Sequence, residues 1–141
     1  MISTAAPSRP PVVTCPKRVL LVDDSSGFRG LLHMFLSSVP DVEVVGEAAD
    51  GVEAITAVLR MKPDLVLMDV RMPALNGLQA TRRLRVAGVG VPIVLLSAYG
   101  DAIPSWLARE VGADEVLDKS SLGERLPDVL DALNRQRGGV A

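Results

Sequence analysis

The sequence predicts an α/β fold built on one doubly wound parallel sheet. Five short apolar runs, rich in leucine and β-branched residues, alternate with five longer segments whose apolar residues recur at helical spacing. Parallel strands need long crossover connections, and right-handed crossovers place helices on both faces of the sheet. The nearly continuous apolar character of the runs fits strands that are buried on both sides.

The strands are predicted where the apolar runs occur. Each run is short, and polar or turn-forming residues bound it, as is typical of strands in such a sheet. In chain order the predicted strands are Arg18–Val22, Val42–Ala48, Leu65–Met68, Pro92–Leu96 and Val116–Leu117.

The helices are predicted from the spacing of apolar residues and from the residues at the helix ends. The first helix, for example, places Phe28, Leu31, Leu32, Phe35 and Leu36 on one face. Ser25 or Ser26 and then Asp50 are suitable N-caps. Gly88 and Gly112 fall where helices should end. In chain order the predicted helices are Ser26–Ser38, Gly51–Met61, Gly77–Val86, Ile103–Val111 and Leu122–Asn134.

Composition limits the class of protein. The chain has 141 residues, is 48% hydrophobic and has a formal net charge of -2, which suits one globular domain with a substantial core. The 15 basic residues nearly balance the 17 acidic ones, so no overall field favours nucleic acid or an anionic membrane. A single cysteine, Cys15, cannot form an internal disulfide. We therefore expect a cytoplasmic protein with no membrane partner.

The domain boundaries are predicted from changes in composition. Residues 1–16 are rich in Pro, Ser, Thr and Ala and lack periodicity, which indicates a disordered N-terminal tail. Residues 17–135 form the predicted domain, and residues 136–141 are a C-terminal tail or a truncated linker.

Polar residues at the strand ends form the candidate site. Asp23 and Asp24 follow the first run, Asp69 the third, Ser97 the fourth and Lys119 the fifth. In doubly wound sheets, ligands bind outside the carboxyl ends of the strands. Three carboxylates without histidine or cysteine suit a hard cation such as Mg²⁺.

This set of residues also suits phosphoryl chemistry. A carboxylate beside a cation, here Asp69, can attack a phosphoryl group and form an acyl phosphate. The ammonium of Lys119 and the hydroxyl of Ser97 can then bind the new phosphoryl oxygens.

The chain resembles the receiver domain of two-component response regulators. The resemblance spans about Lys17 to Asn134 and rests on "LLVDDS", "DLVLMDVRMPALNGL", "PIVLLSAY" and "GADEVLDKS" in the order and spacing of that family. It implies a flavodoxin-like (βα)5 fold with strand order 2-1-3-4-5.

The resemblance also implies roles for the site residues. Asp69 is the phosphoacceptor, which receives its phosphoryl group from a sensor histidine kinase. Asp23 and Asp24 are the acidic pair that holds Mg²⁺ directly or through water, together with Asp69, and Arg71 contributes its backbone carbonyl to the metal. Lys119 aligns with the family's lysine and Ser97 with its switch hydroxyl. The implied protein is a switch and not an enzyme.

Two departures from the family's pattern concern the output of the switch. Val116 stands where the family usually has Tyr or Phe, so the usual aromatic rotation cannot occur. Ser120 follows the lysine, and "KSS" resembles receivers of the NarL/FixJ type, whose effector is a DNA-binding domain. Transcription is therefore the expected output. After Leu133 the chain reads "NRQRGGVA", which suits either a stand-alone receiver or a chain cut at the linker. We expect no direct DNA contact from this chain unless a DNA-binding domain is missing from it.

Two rival functions remain open. Without its aromatic residue, the domain could be an interaction module that works independently of phosphorylation. A hydrolase that forms an aspartyl phosphate is disfavoured, because such phosphatases have a second aspartate two residues after the nucleophile, where this chain has Arg71.

Other residues allow two interpretations each. His33 is a phosphorylatable histidine or, as we expect, a surface or half-buried helix residue. Arg82, Arg83 and Arg85 form a nucleic-acid patch or, as we expect, a solvated helix face. Trp106 packs against the sheet or anchors a partner, such as a second copy bound through the fourth helix, fifth strand and fifth helix. Tyr99, together with Arg71, is expected to slow hydrolysis of the acyl phosphate.

Overall fold

The computed structural model describes residues 16–98 and 103–138, in which five strands alternate with five α-helices. The strands are β1 (Lys17–Val22), β2 (Val42–Ala48), β3 (Leu65–Asp69), β4 (Ile93–Ser97) and β5 (Glu115–Asp118). The helices are α1 (Ser26–Ser37), α2 (Gly51–Met61), α3 (Gly77–Val86), α4 (Ser105–Val111) and α5 (Leu122–Gly138). A 3-10 turn, Lys119–Ser121, joins β5 to α5.

The strands pair in parallel in the order β2-β1-β3-β4-β5. This order confirms both the predicted fold class and the flavodoxin-like topology that the resemblance implied. The order reverses between β1 and β3, which are neighbours in the sheet although β2 lies between them in the chain. Doubly wound sheets bind ligands at such a reversal, outside the carboxyl ends of the strands.

Two apolar cores cover the two faces of the sheet. Successive side chains of a strand point to opposite faces, so Leu20 and Val22 pack with α2 and α3, whereas Val19 and Leu21 pack with α1 and α5. All five residues of β3 and all five of β4 are buried. Burial from both sides explains why these strands are almost continuously apolar in the sequence.

Side-chain caps define the helix starts. Of the two serines proposed for α1, Ser25 is the N-cap and its hydroxyl accepts from the Phe28 N–H. Asp50 caps α2 as predicted. Asn76 forms a capping box with Gln79 at the start of α3, which the sequence analysis missed. At the C-terminal ends, Gly112 caps α4 at a φ of +97°.

Three helix boundaries were predicted wrongly. The smallest difference is in α1, which ends at Ser37, because Ser38 is its C-cap. Helix α4 begins at Ser105 and not at Ile103, because a residue that precedes proline is disfavoured in the helical region and Pro104 is itself the N-cap. Helix α5 continues past Asn134 to Gly138, since no proline or glycine occurs between these two residues. Within the described part of the chain, no helix combines the length and the apolar character needed to cross a membrane.

Candidate functional site

The carboxyl edge of the sheet collects the predicted site residues. Asp23 follows β1 directly, Asp69 is the last residue of β3, and Ser97 is the last residue of β4. Lys119 follows β5 in the 3-10 turn. The register places Asp69 opposite Leu96 on the neighbouring strand, so Ser97 lies one residue further along. These positions follow from the parallel pairing, which aligns the carboxyl ends of adjacent strands.

The three aspartates form a compact oxygen cluster. Asp23, Asp24 and Asp69 each offer a carboxylate oxygen, and these oxygens lie within 4.8 Å of one another. Asp23 is fully buried and Asp69 is 5% exposed, whereas Asp24 is open to solvent. Buried carboxylates this close together need a compensating positive charge. The donor set, which consists of carboxylate oxygens with one side open to water, fits Mg²⁺.

Lys119 supplies part of that charge. Its Nζ lies 2.7 Å from Asp23 Oδ2 and 3.4 Å from Asp69 Oδ1. The other oxygen of the Asp23 carboxylate, Oδ1, accepts from the Ser25 N–H at 2.8 Å. The Asp23 side chain is therefore held by a lysine from the far end of the chain and by the first residue of the α1 cap.

The environment of Asp69 favours its neutral form relative to an exposed aspartate. Burial raises the pKa of Asp69, and repulsion from the Asp23 carboxylate raises it further. The Lys119 ammonium and a backbone hydrogen bond from Arg71 act in the opposite direction. A cation bound to the cluster would oppose the first two effects. Asp69 is thus a buried carboxylate whose charge depends on the groups around it.

The loop after Asp69 is built closely around the carboxylate. The Val70 N–H donates to Leu96 O at 3.0 Å, and the Gly77 N–H donates to Val70 O at 2.8 Å. A Cβ on Gly77 would lie 2.3 Å from the Asp69 carbonyl oxygen, so this position accepts only glycine without a backbone shift. Between these residues, Arg71 and Pro73 are exposed. The role of the Arg71 carbonyl in metal binding stays a prediction.

Ser97 opens onto a cavity on the α4 side. The residue is 5% exposed and lines a cavity of about 540 Å³ together with Val116 from β5, Ser121 and residues of α4. Val116 is half-buried at this wall, at the position where the family's pattern usually has Tyr or Phe. Valine, which is smaller than the family's usual Tyr or Phe, therefore lines the same cavity as Ser97.

Arg29 connects the site to the surface of α1 and β2, a link that the sequence analysis missed. Its guanidinium donates to the backbone carbonyl of Asp23 and pairs with Glu47 Oε1 at 2.6 Å. Glu47 Oε2 in turn lies 3.0 Å from His33 Nε2. Both partners lower the pKa of Glu47, the His33 hydrogen bond most. No local spacing in the sequence relates these residues of α1 and β2.

The structure decides between the two interpretations for some of the residues that the sequence left open. The side chain of His33 is 44% exposed, as expected of a surface helix residue. Arg82 and Arg83 are exposed, but the expectation of a solvated face is wrong for Arg85, which donates to Gly112 O at 2.8 Å and pairs with Asp114. Trp106 is 63% exposed. Tyr99 lies outside the described residues.

A family model for the response regulator receiver domain matches residues 19–131 of this chain. The chain therefore belongs to the receiver domain family of two-component response regulators, as the motifs predicted.

Curated relatives extend the comparison to longer proteins. A protein-glutamate methylesterase/protein-glutamine glutaminase of Geobacter metallireducens is 46% identical over 105 residues, which cover 72% of this chain and 30% of the relative. Another of the same name, from a Nocardioides species, is 38% identical over 122 residues, covering 82% of this chain and 33% of the relative. The chain spans about a third of the length of the curated relatives it matches. Those names describe enzymes, of which the matched segment is one part.

Solved structures of receivers superpose on this fold. The response regulator domain of Thermotoga maritima CheB has a TM-score of 0.74 at 32% identity, covering 85% of this chain and 95% of that one. The receiver domain of the NarL response regulator of Mycobacterium tuberculosis has a TM-score of 0.76 at 33% identity, covering 84% and 97%. A LuxR-family regulator from an Aurantimonas strain gives 0.77 at 30% identity, covering 84% of each chain.

Proposed function

We propose that this receiver domain is a phosphorylation switch in which Asp69 accepts a phosphoryl group from a sensor histidine kinase. Receiver domains in general accept phosphoryl groups from such kinases. The observation that supports Asp69 as the acceptor is its position: a 5% exposed carboxylate at the end of β3, with the Lys119 ammonium 3.4 Å away and two further aspartates beside it.

The same cluster is the proposed metal site. Receiver domains generally bind Mg²⁺ through a cluster of acidic residues. The proposed ligands are Asp23, Asp24 and Asp69, with the backbone carbonyl of Arg71. The bound ion would screen the repulsion between the acceptor carboxylate and the phosphoryl oxygens.

The chain's own residues then have distinct tasks. A carboxylate oxygen of Asp69 attacks phosphorus, so an O–P bond forms while the N–P bond of the donor phosphohistidine breaks and the imidazole leaves. Lys119 moves from Asp23 to a phosphoryl oxygen and offsets its negative charge. The Ser97 hydroxyl, buried at the neighbouring strand end, donates to another phosphoryl oxygen. These new contacts favour one arrangement of the loops around β4 and β5 over another.

We propose the face formed by α4, β5 and α5 as the output surface, and a second copy of the chain as a partner on it. The exposed Trp106 on α4 and the cavity between Ser97 and Val116 support this choice. The proposed output is transcription, supported by the likeness to NarL and LuxR-family receivers. The curated relatives are named as protein-glutamate methylesterases, so a second proposed output is that this receiver controls the activity of such an enzyme.

The two outputs can be separated in cells. An Asp69→Asn substitution in the native gene should change transcript levels if the output is transcription. It should instead change the amount of methyl-esterified glutamate in cellular proteins, with transcripts unaltered, if the output is a protein-glutamate methylesterase.

A second candidate function is an interaction module that does not need phosphorylation. The observation that favours it is Val116, which lacks the ring that couples the site to the surface in the family's usual pattern. This candidate predicts that the Asp69→Asn protein binds its partner as well as the wild type does.

The phosphoryl transfer itself is tested with a small donor. We would incubate the protein with phosphoramidate, with and without Mg²⁺, and measure intact mass for the wild type, Asp69→Asn and a control, Asp128→Asn, at an exposed position of α5. The switch predicts a Mg²⁺-dependent gain of one phosphoryl group in the wild type and the control, and none in Asp69→Asn. No gain in a folded wild type that binds Mg²⁺ would favour the module.

We also propose residues 17–135 as the complete receiver unit. Strand β1 begins at Lys17, and α5 still buries an apolar side chain at Leu133. A protein cut to residues 17–135 should unfold at the same urea concentration as the full chain.

A further inference from the structure

The ammonium group of Lys119 contacts a third partner besides the two carboxylates. Its Nζ lies 4.1 Å from the centroid of the Phe28 ring, above the face of the ring. Phe28 is in the first turn of α1, where its N–H donates to the capping Ser25 hydroxyl at 3.2 Å. Its side chain is half-buried and packs against the core under α1 and α5. The helix cap that also binds Asp23 thus sets the position of the ring.

The Phe28 ring attracts the Lys119 ammonium although it offers no hydrogen-bond acceptor. The face of an aromatic ring is negative, and a cation within about 6 Å of the centroid is drawn to it most strongly where water is scarce. The Lys119 side chain is only 19% exposed. A ring face attracts over a broad range of directions, whereas a hydrogen bond to Asp23 requires a narrow one.

We infer that Phe28 is a positioning residue for Lys119, holding the ammonium beside Asp69 while it moves from Asp23 to the phosphoryl group. The inference rests on the proposed function, because it concerns the step in which Lys119 exchanges partners. On leaving Asp23, Lys119 loses its shortest contact, at 2.7 Å. The ring face keeps the ammonium in the pocket during that exchange and leaves its N–H groups free to donate to phosphoryl oxygens.

The contact itself is tested by NMR of the lysine side chains. The chain has only three lysines, Lys17, Lys62 and Lys119, so selective labelling with ¹³C-lysine resolves them. The ring current of Phe28 should shift the ε-methylene protons of Lys119 upfield of those of Lys62. The shift should disappear in Phe28→Leu and persist in Phe28→Trp. Equal shifts in the wild type and Phe28→Leu would overturn the contact.

The positioning role is tested by the rate of phosphorylation from phosphoramidate in saturating Mg²⁺. Phe28→Leu keeps an apolar side chain but removes the ring, and we expect the rate to fall by about two- to thirtyfold. Phe28→Trp, which retains an aromatic face, should restore most of the rate. The matched control is Phe35→Leu, at the only other phenylalanine, also half-buried on α1, and it should leave the rate unchanged.

A double-mutant cycle separates positioning from general packing. If Phe28 acts through Lys119, then Phe28→Leu should cause no further loss of rate in a Lys119→Met background. Independent, additive losses would overturn the inference, as would a Phe28→Leu rate equal to that of the wild type. Failure of the proposed function gives a different result, namely a folded wild type that gains no phosphoryl group at all.

Discussion

Replacing Lys119 by methionine should destabilise the fold when divalent cations are absent. The substitution keeps the apolar stem and the length of the side chain but removes the positive charge from the pocket. That charge lies 2.7 Å from an oxygen of Asp23, which is fully buried, and 3.4 Å from an oxygen of Asp69, which is 5% exposed. The variant therefore leaves two buried carboxylates facing each other without compensation.

The magnitude follows from the burial of the pair. Removing one partner of a buried ion pair costs about 3–5 kcal/mol. We expect the lower end of that range, about 3 kcal/mol at neutral pH, because the Lys119 side chain is 19% exposed and the neighbouring Asp24 is open to water. For a domain of this size, such a loss lowers Tm by roughly 10 °C.

The assay is urea unfolding followed by circular dichroism, in EDTA and again in millimolar Mg²⁺. Lys62→Met, at an exposed lysine beyond the end of α2, is the control and should unfold with the wild type. Mg²⁺ should narrow the gap between Lys119→Met and the wild type, because a cation that binds only the folded state compensates the same carboxylates. A Lys119→Met protein as stable as the wild type in EDTA would refute the reasoning, as would a gap that Mg²⁺ leaves unchanged.

Three further substitutions test other parts of the structure. In EDTA at pH 7, Asp69→Asn should unfold at a higher urea concentration than the wild type, because a raised pKa means that ionising Asp69 lowers the stability of the fold. The difference between the two proteins should vanish as the pH falls below 3.8, the ordinary pKa of an aspartate. A difference that stays constant with pH would contradict this prediction. Gly77→Ala should lose about 1–3 kcal/mol in the same assay, since its Cβ would lie 2.3 Å from the Asp69 carbonyl oxygen, whereas Gly30→Ala, with nothing within 4 Å, should gain about 0.5–1 kcal/mol. Arg85→Met should speed hydrogen exchange in residues 112–115, because Arg85 donates to Gly112 O and pairs with Asp114 at 3.0 Å; unchanged protection there would show that this contact does not hold the turn.

Local patterns in the sequence determined the elements of this fold and the composition of its site. Hydrophobic period distinguishes strands from helices over a few residues, so the alternation could be predicted without knowledge of the packing. The carboxyl ends of parallel strands meet at one edge of the sheet, and for this reason Asp23, Asp69, Ser97 and Lys119 could be assigned to one site. The order of the strands came from the family resemblance and not from the periodicity.

Tertiary structure alone decided which side chains meet within that site. Lys119 and Asp23 are 96 positions apart, and their contact depends on the direction of each side chain after folding. The same holds for the ring of Phe28 beneath the ammonium. Outside the site it also holds for Arg85, which the sequence indicated only as a surface residue. Such contacts have no period along the chain, because the packing of helices on the sheet sets them. The sequence therefore determined which groups lie at the edge of the sheet, and the fold decided how they pair.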